Sequence, residues 1–381
     1  MKKVGIITFH NSYNCGSMLE SFAMQEIIKK RGADATIIDF SNIGQRALYD
    51  VFIPNSSIKN IVKNILVFPH KKRIKHNNYM YEKFKRDNFN LTKNSFSNMN
   101  ELSDKGFDVI VAGSDQIWNI TIEDGDDAYF LPWVKNAKKI AYSPSFGSKN
   151  ILKYSNNPNK YREYLLEFDS LSVRENNGKR WIKDICGRDV DVLLDPTLLL
   201  EQVDYDKIID INYKPKEEYI FFYCPSFDKK ICEFVKKISD KYKIKVIVWS
   251  TKSYYYKFVS KYGFELVSYE TPSLYLTLIK NAKLVITTSF HGTIFSTIYR
   301  KNFITVKNGS MYGDDDRVIT LLNELNMSDR LIPFNFDQNY NYMEKVVYDR
   351  KYLDNLEMLK NKSLNYIDKY IIGMWKKYER D

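Results

Sequence analysis

The chain has 381 residues, room for two domains, and 44% of them are apolar, so a sizeable core is expected and general disorder is excluded. Its net charge of +11 comes without any helix-turn-helix, zinc or RNP signature, which argues against nucleic acid as a partner. No run approaches the ~18 apolar residues that span a bilayer, residues 4–9 are too few for a signal sequence, and the four cysteines (Cys15, Cys186, Cys224, Cys232) lack CxxC spacing, so a cytoplasmic protein without a disulfide framework or zinc cage is expected.

In chain order, residues 4–9 read as a strand, 17–31 as an amphipathic helix ended by Gly32, and 35–40 as a second strand. A basic insertion follows, over about 44–100. Between 59 and 87 nine Lys and Arg residues face Glu82 and Asp87, a surplus of 9 − 2 = 7 charges. There Ile58, Ile61, Val62, Ile65 and Leu66 recur at helical spacing ahead of "PHKKRIKH". The stripe reads most simply as the core-facing side of a helix beside a solvated basic loop. The alternative is a surface that docks on an anionic membrane. Strands are then expected at 108–112, 139–143 and "SLSVRE", with a helix over 151–168 and "DVDVLLDPTLLL" closing the first half.

The second half repeats the pattern. "EEYIFFYC", "KIKVIVWS", "KLVITTS" and "NFITVKN" read as strands, separated by helices at 228–242, at "SLYLTLIKNA" and at about 292–299. Helices near 317–326 and over 351–377 end the chain. Strands alternating with helices imply α/β architecture with parallel sheets, and right-handed crossovers gather the strand C-termini on one edge. The expected organisation is an N-terminal Rossmann-like domain (1–205), a C-terminal one (206–350) facing it across a cleft, and a terminal helix (351–381) packing back on the first domain.

Three loops at strand C-termini carry candidate chemistry. The first, Thr8 to Ser17 and including His10, Asn14 and Gly16, is small and polar and enters a helix, so its amides suit an anion. It lacks the P-loop and GxGxxG patterns, so neither ATP nor NAD is supported. The second, Gly113 to Asn119, offers Asp115, Gln116 and Trp118, a carboxylate, an amide and an aromatic platform of the kind that holds sugar hydroxyls. In the third, Ser289-Phe290-His291-Gly292, one of only four histidines stands between a strand and a helix. Arg174 and Glu175, at the end of "SLSVRE", add a fork for phosphate or carboxylate. The acids Asp314, Asp315 and Asp316 read as a solvated run rather than a metal site.

The segments "TFHNSYNCGSMLESFAM", "VAGSDQIWN", "YSPSFG", "SVRENNG", "LLDPTLLL" and "TTSFHGTIFSTIYRK" occur in an order that resembles the polysaccharide pyruvyl transferase family. The resemblance spans roughly residues 4–310. It implies a two-domain fold similar to GT-B glycosyltransferases, and transfer of pyruvate from phosphoenolpyruvate to a sugar of a surface-polysaccharide or cell-wall glycan precursor, giving a ketal and phosphate. A GT-B glycosyltransferase using a nucleotide sugar is the alternative. The resemblance makes His291 and Asp115 catalytic. Arg174, Ser289, Gly292, Asn14, Gly16 and Ser17 bind the donor, and His10, Gln116 and Trp118 the acceptor. It implies no metal and no cofactor besides the donor. The partners are that small molecule and a glycan or lipid-linked saccharide, met in the cytoplasm or at the inner face of the membrane. Ser289 stands where characterised members carry arginine, a charge that Arg300 or Arg317 is expected to replace.

Overall fold

The computed structural model describes residues 1–307 and 314–373. Twelve strands form two six-stranded sheets, and every neighbouring pair within them is parallel. The first sheet contains β1 (Lys3–Ile7), β2 (Asp34–Ile37), β3 (Val109–Ala112), β4 (Lys138–Ala141), β5 (Ser170–Val173) and β6 (Asp191–Val192), in the order 2-1-3-4-5-6. The second contains β7 (Tyr219–Tyr223), β8 (Lys245–Val248), β9 (Glu265–Leu266), β10 (Leu284–Thr287), β11 (Phe303–Val306) and β12 (Leu331–Ile332), in the order 12-11-10-7-8-9. Helices cover both faces of each sheet, which is why "VIVA", "SLSV", "YIFFY" and "LVIT" are buried at every position instead of alternating.

Each sheet has a point where the chain, having built outward on one side, crosses to the other. In the first it lies between β1 and β3, in the second between β7 and β10. Crevices at such points, beyond the strand C-termini, are where open α/β sheets hold ligands. The loops after β1, β3 and β10 are the three singled out above.

The lobes share one apolar cluster. Phe22 of the helix Cys15–Lys30, Tyr205 and Phe295 of the helix Phe290–Ile298 pack in series, with ring centroids 6.4 and 5.1 Å apart. The helix Cys15–Lys30 is consequently buried on nearly every side. The helix Arg350–Tyr366 returns to the first lobe: Leu194 N donates to Ser363 Oγ (3.0 Å) and the Tyr366 hydroxyl to Ala141 O (3.0 Å). The end of the expected tail helix, 374–381, lies outside the described residues.

Two expectations change. The helix over 151–168 is two helices, Ile151–Tyr154 and Pro158–Leu166, because Pro158 starts a new one after its cap, Asn157. The basic insertion folds as the helices Ile43–Tyr49, Ile58–Val67 and Lys71–Asn88. Its apolar stripe does not face the core, for Ile58, Ile61, Val62 and Ile65 are all exposed. Lys71, Lys72 and Arg73 form the first turn of a helix rather than a loop. The three-residue 3-10 turn Phe68–His70 separates the two helices and breaks the phase of the stripe.

Candidate active site

Asp195, just after β6, is the centre of the cleft. Its Oδ1 accepts from the backbone N (3.0 Å) and hydroxyl (2.5 Å) of Thr197. Its Oδ2 accepts from Arg174 Nη1 at 2.8 Å and lies 3.4 Å from His291 Nε2. One carboxylate of the first lobe thus holds the arginine of the same lobe and faces the histidine of the other. The Arg174 guanidinium also stacks on Phe290, 4.4 Å from the ring centroid, and its Nη2 lies 3.5 Å from Asp115 Oδ1. Asp115 Oδ2 accepts from Ser17 Oγ at 2.5 Å.

The close approach of the lobes explains Gly16. A Cβ there would fall 2.3 Å from His291 Nδ1. Only glycine lets the start of the helix Cys15–Lys30 lie against the imidazole.

Burial sorts the carboxyls here into two classes. For Asp195, burial alone would raise the pKa, but His291 and Arg174 outweigh it and hold the group well below the ordinary carboxylate range. Asp115 is likewise penalised by burial yet kept low by Arg174 and His291. Glu20 is pushed up by burial and by the charges of Asp195 and Asp115; its oxygens accept from Ser114 N (2.6 Å) and Thr8 Oγ1 (2.9 Å). Glu175 is pushed up by burial to about 7, with Arg174 and Arg317 opposing.

In the cleft three buried nitrogens make no hydrogen bond: Arg174 Nε, Arg174 Nη2, which is in ion-pair range of Asp115 at 3.5 Å, and His291 Nε2, which is in ion-pair range of Asp195 at 3.4 Å. Each such group costs ~1–3 kcal/mol unless something accepts from it. Arg317 adds charge from the second lobe, chelated by both oxygens of Asp315 at 2.9 and 2.8 Å. Its field reaches Glu175 and Asp115. Asp316 accepts from Asn177 N at 3.1 Å, capping the helix Asn176–Cys186 from across the cleft. The acidic run 314–316 is therefore spent on an arginine and a helix end.

Not every expected residue faces this cleft. His10 is fully buried, with Nε2 2.9 Å from Asp39 and Nδ1 3.3 Å from Thr8 O, so no ring nitrogen is free for an acceptor. Burial pushes Asp39 up, but the bond from His10 prevails and holds it at about 2. Trp118 is core: its indole N–H donates to Tyr129 O (3.1 Å) and its ring stacks on Phe130. Ser289 caps its own helix by accepting from Gly292 N, and Asn14 does the same with Gly16 N, which takes both amides away from a donor. Gly292 is small because a Cβ would fall 2.4 Å from Thr287 Oγ1. Arg300 is exposed on a separate surface beside Tyr352 and Lys360. Asn14, Ser17, Asp115 and Gln116 line a cavity of about 430 Å³ with Tyr49 and Asp124. Asp195 and Glu20 were missed, although each is a lone acid inside an apolar run, the one available signal.

A stability test follows from Glu175. Its folded pKa lies above the unfolded value of ~4.3, so the folded state holds a proton that the unfolded chain releases. Stability should therefore fall as pH rises from about 4 to 7. Glu175→Gln is expected to reduce that slope by on the order of 3 kcal/mol across the window, leaving the part due to other raised carboxyls such as Glu324. Urea midpoints measured between pH 4 and about 8 check this, and an unchanged slope in the variant rules it out.

The family model described as polysaccharide pyruvyl transferase matches residues 14–310. No curated protein matches the chain. Among solved structures, the UDP-GlcNAc 2-epimerase of Neisseria meningitidis bound to UDP-GlcNAc superposes with a TM-score of 0.52 at 10% identity, covering 98% of this chain and 100% of that one. Another UDP-N-acetylglucosamine 2-epimerase gives 0.52 at 9%, covering 100% and 98%. At such identities the likeness is one of fold, the two-lobed GT-B arrangement. The family match covers most of the chain and includes Asp115, Arg174, Asp195 and His291, and by it the chain belongs to the polysaccharide pyruvyl transferase family and is a transferase.

Proposed function

We propose that the protein moves pyruvate from phosphoenolpyruvate onto two hydroxyls of a saccharide in a surface-polysaccharide or cell-wall glycan precursor. The observation that carries this reading is that the buried Nε and Nη2 of Arg174 and the neighbouring Nε2 of His291 make no hydrogen bond within the protein. A donor bearing a carboxylate and a phosphate satisfies such groups, and the planar fork of arginine suits either anion. Arg317 supplies a second cation where the early loop and the Ser289 turn have used their amides internally.

The chemistry follows from these placements. C3 of the donor gains a proton, the oxygen of one sugar hydroxyl bonds to C2, and a second hydroxyl oxygen displaces phosphate from the same carbon. Of the two hydroxyl protons, one replaces that delivered to the methyl group and one leaves with phosphate. His291 carries the proton, imidazole being the side chain most often used as acid and base. Asp195 orients the ring. Asp115, kept ionised by Arg174 and His291, accepts from the incoming hydroxyl alongside Ser17, and the cavity of Asn14, Gln116 and Tyr49 receives the sugar.

Two measurements test the reading. Phosphoenolpyruvate should raise the melting temperature, as a ligand of the native state must, and phosphate release should require a saccharide acceptor. A shift with a nucleotide sugar and none with phosphoenolpyruvate would transfer the site to glycosyl chemistry. Arg174→Lys keeps the charge but loses the fork. The donor KM is expected to rise about ten- to hundred-fold, the worth of one charge-assisted hydrogen bond, with the acceptor KM little changed. The opposite pattern would reassign Arg174 to the acceptor.

A further inference from the structure

The helix Ile58–Val67 is turned inside out. Asn60, Lys63, Asn64 and Val67 line a cavity of about 610 Å³ shared with Ser250, Lys252 and Tyr256 of the second lobe. The opposite side presents Ile58 (81% exposed), Ile61, Val62 and Ile65 (65%) to solvent, and Phe68 (54%) extends the face. Seven of the seventeen exposed large apolar side chains among the described residues fall between Ile43 and Phe68. An apolar patch of this density marks an interaction surface.

Charge identifies what covers it. No acidic residue occurs between Asp50 and Glu82, whereas Lys59, Lys71, Lys72 and Lys75 are exposed along the same stretch. Lys71 lies 4.4 Å from the centroid of the Phe68 ring, so cation and apolar edge are contiguous. Bulky aliphatic side chains flanked by lysines without a single acid match a bilayer that offers acyl chains beneath anionic headgroups. We infer that this face docks the protein reversibly on an anionic membrane surface. No helix among the described residues is long and apolar enough to cross a membrane, so the attachment is peripheral. Because the far side of the same helix walls the interlobe cavity, docking brings that cavity to the lipid surface. There it can admit a saccharide carried on a lipid, a consequence that rests on the transferase reading above.

The test is co-sedimentation of the full chain with vesicles of phosphatidylcholine mixed with phosphatidylglycerol, and with vesicles of phosphatidylcholine alone. Binding is expected to the mixed vesicles at low salt and to weaken at high salt, where the Debye length shrinks to ~3 Å. Ile61→Ser with Ile65→Ser, and separately Lys71→Glu with Lys72→Glu, should each reduce it about ten-fold or more. These side chains are exposed, so melting temperatures should stay unchanged. Failure to sediment at low salt overturns the assignment, as does equal binding to neutral vesicles. A concentration-dependent dimer that the Ile61/Ile65 pair dissolves would give the face to a second copy instead. Vesicle binding is read without turnover. Its loss leaves pyruvyl transfer to a soluble acceptor standing, and failed transfer with intact binding overturns only the transferase reading.

Discussion

Alanine at position 291 is expected to lower turnover by ~10²–10⁴-fold, the usual contribution of a positioned acid or base, while leaving the melting temperature near that of the parent. The ring is buried against Gly16, but its Nε2 makes no hydrogen bond within the protein, so truncation removes chemistry more than structure. Phosphate release from phosphoenolpyruvate in the presence of acceptor is the measurement. Turnover within a few-fold of the parent would end the catalytic assignment. Gly16→Ala provides a second approach that keeps the imidazole. Its new methyl would sit 2.3 Å from Nδ1 and must displace the ring or part the lobes. A loss approaching that of the alanine variant is expected, and normal activity would mean that the position of the ring does not matter.

Much of this architecture was legible in the sequence because parallel sheets buried on both faces leave continuous apolar runs. Residues 219–223 and 284–287 could scarcely be anything else. The strand C-termini then located the cleft, and Asp115, Arg174 and His291 do meet there. Chain order does not tell which way a side chain points, and that is where the reading failed. His10 and Trp118 stand in the right loops yet turn into the core, each with its polar atoms already engaged. Ser289 and Asn14 are the small polar residues that helix starts require, and capping took them first. Asp195 was hidden by its company: an acid within "LLDPTLLL" looks like a turn residue until Arg174, 21 positions away, is seen to reach it. The stripe at Ile58 has the periodicity of a core-facing helix. Periodicity shows that a helix has two sides without saying which one the protein covers.

Removing that buried carboxylate should have the largest effect on stability. Asp195→Ala leaves the Arg174 guanidinium in the cleft with no acceptor at Nη1 and strips the cap from the turn Pro196–Leu199. Breaking a buried pair from one side typically costs ~3–5 kcal/mol. Asp195→Asn keeps an oxygen for Arg174 or Thr197 and loses only the charge, so a smaller loss is expected. The two variants also differ from the parent in acid. The folded pKa of Asp195 is depressed below its unfolded value of ~3.9 by His291 and Arg174. Its contribution is therefore fully present above about pH 4 and disappears as pH falls below that. Asp195 should cost the parent stability on the acid side and Glu175 on the neutral side, each alongside other shifted carboxyls such as Asp39 and Glu324. In Asp195→Asn the acid limb should flatten while the neutral limb persists, and in Glu175→Gln the reverse. Denaturant unfolding of the three proteins across this range separates the limbs. If Asp195→Asn kept the full acid limb, the ionised carboxylate beside Arg174 could not be what stabilises the parent there.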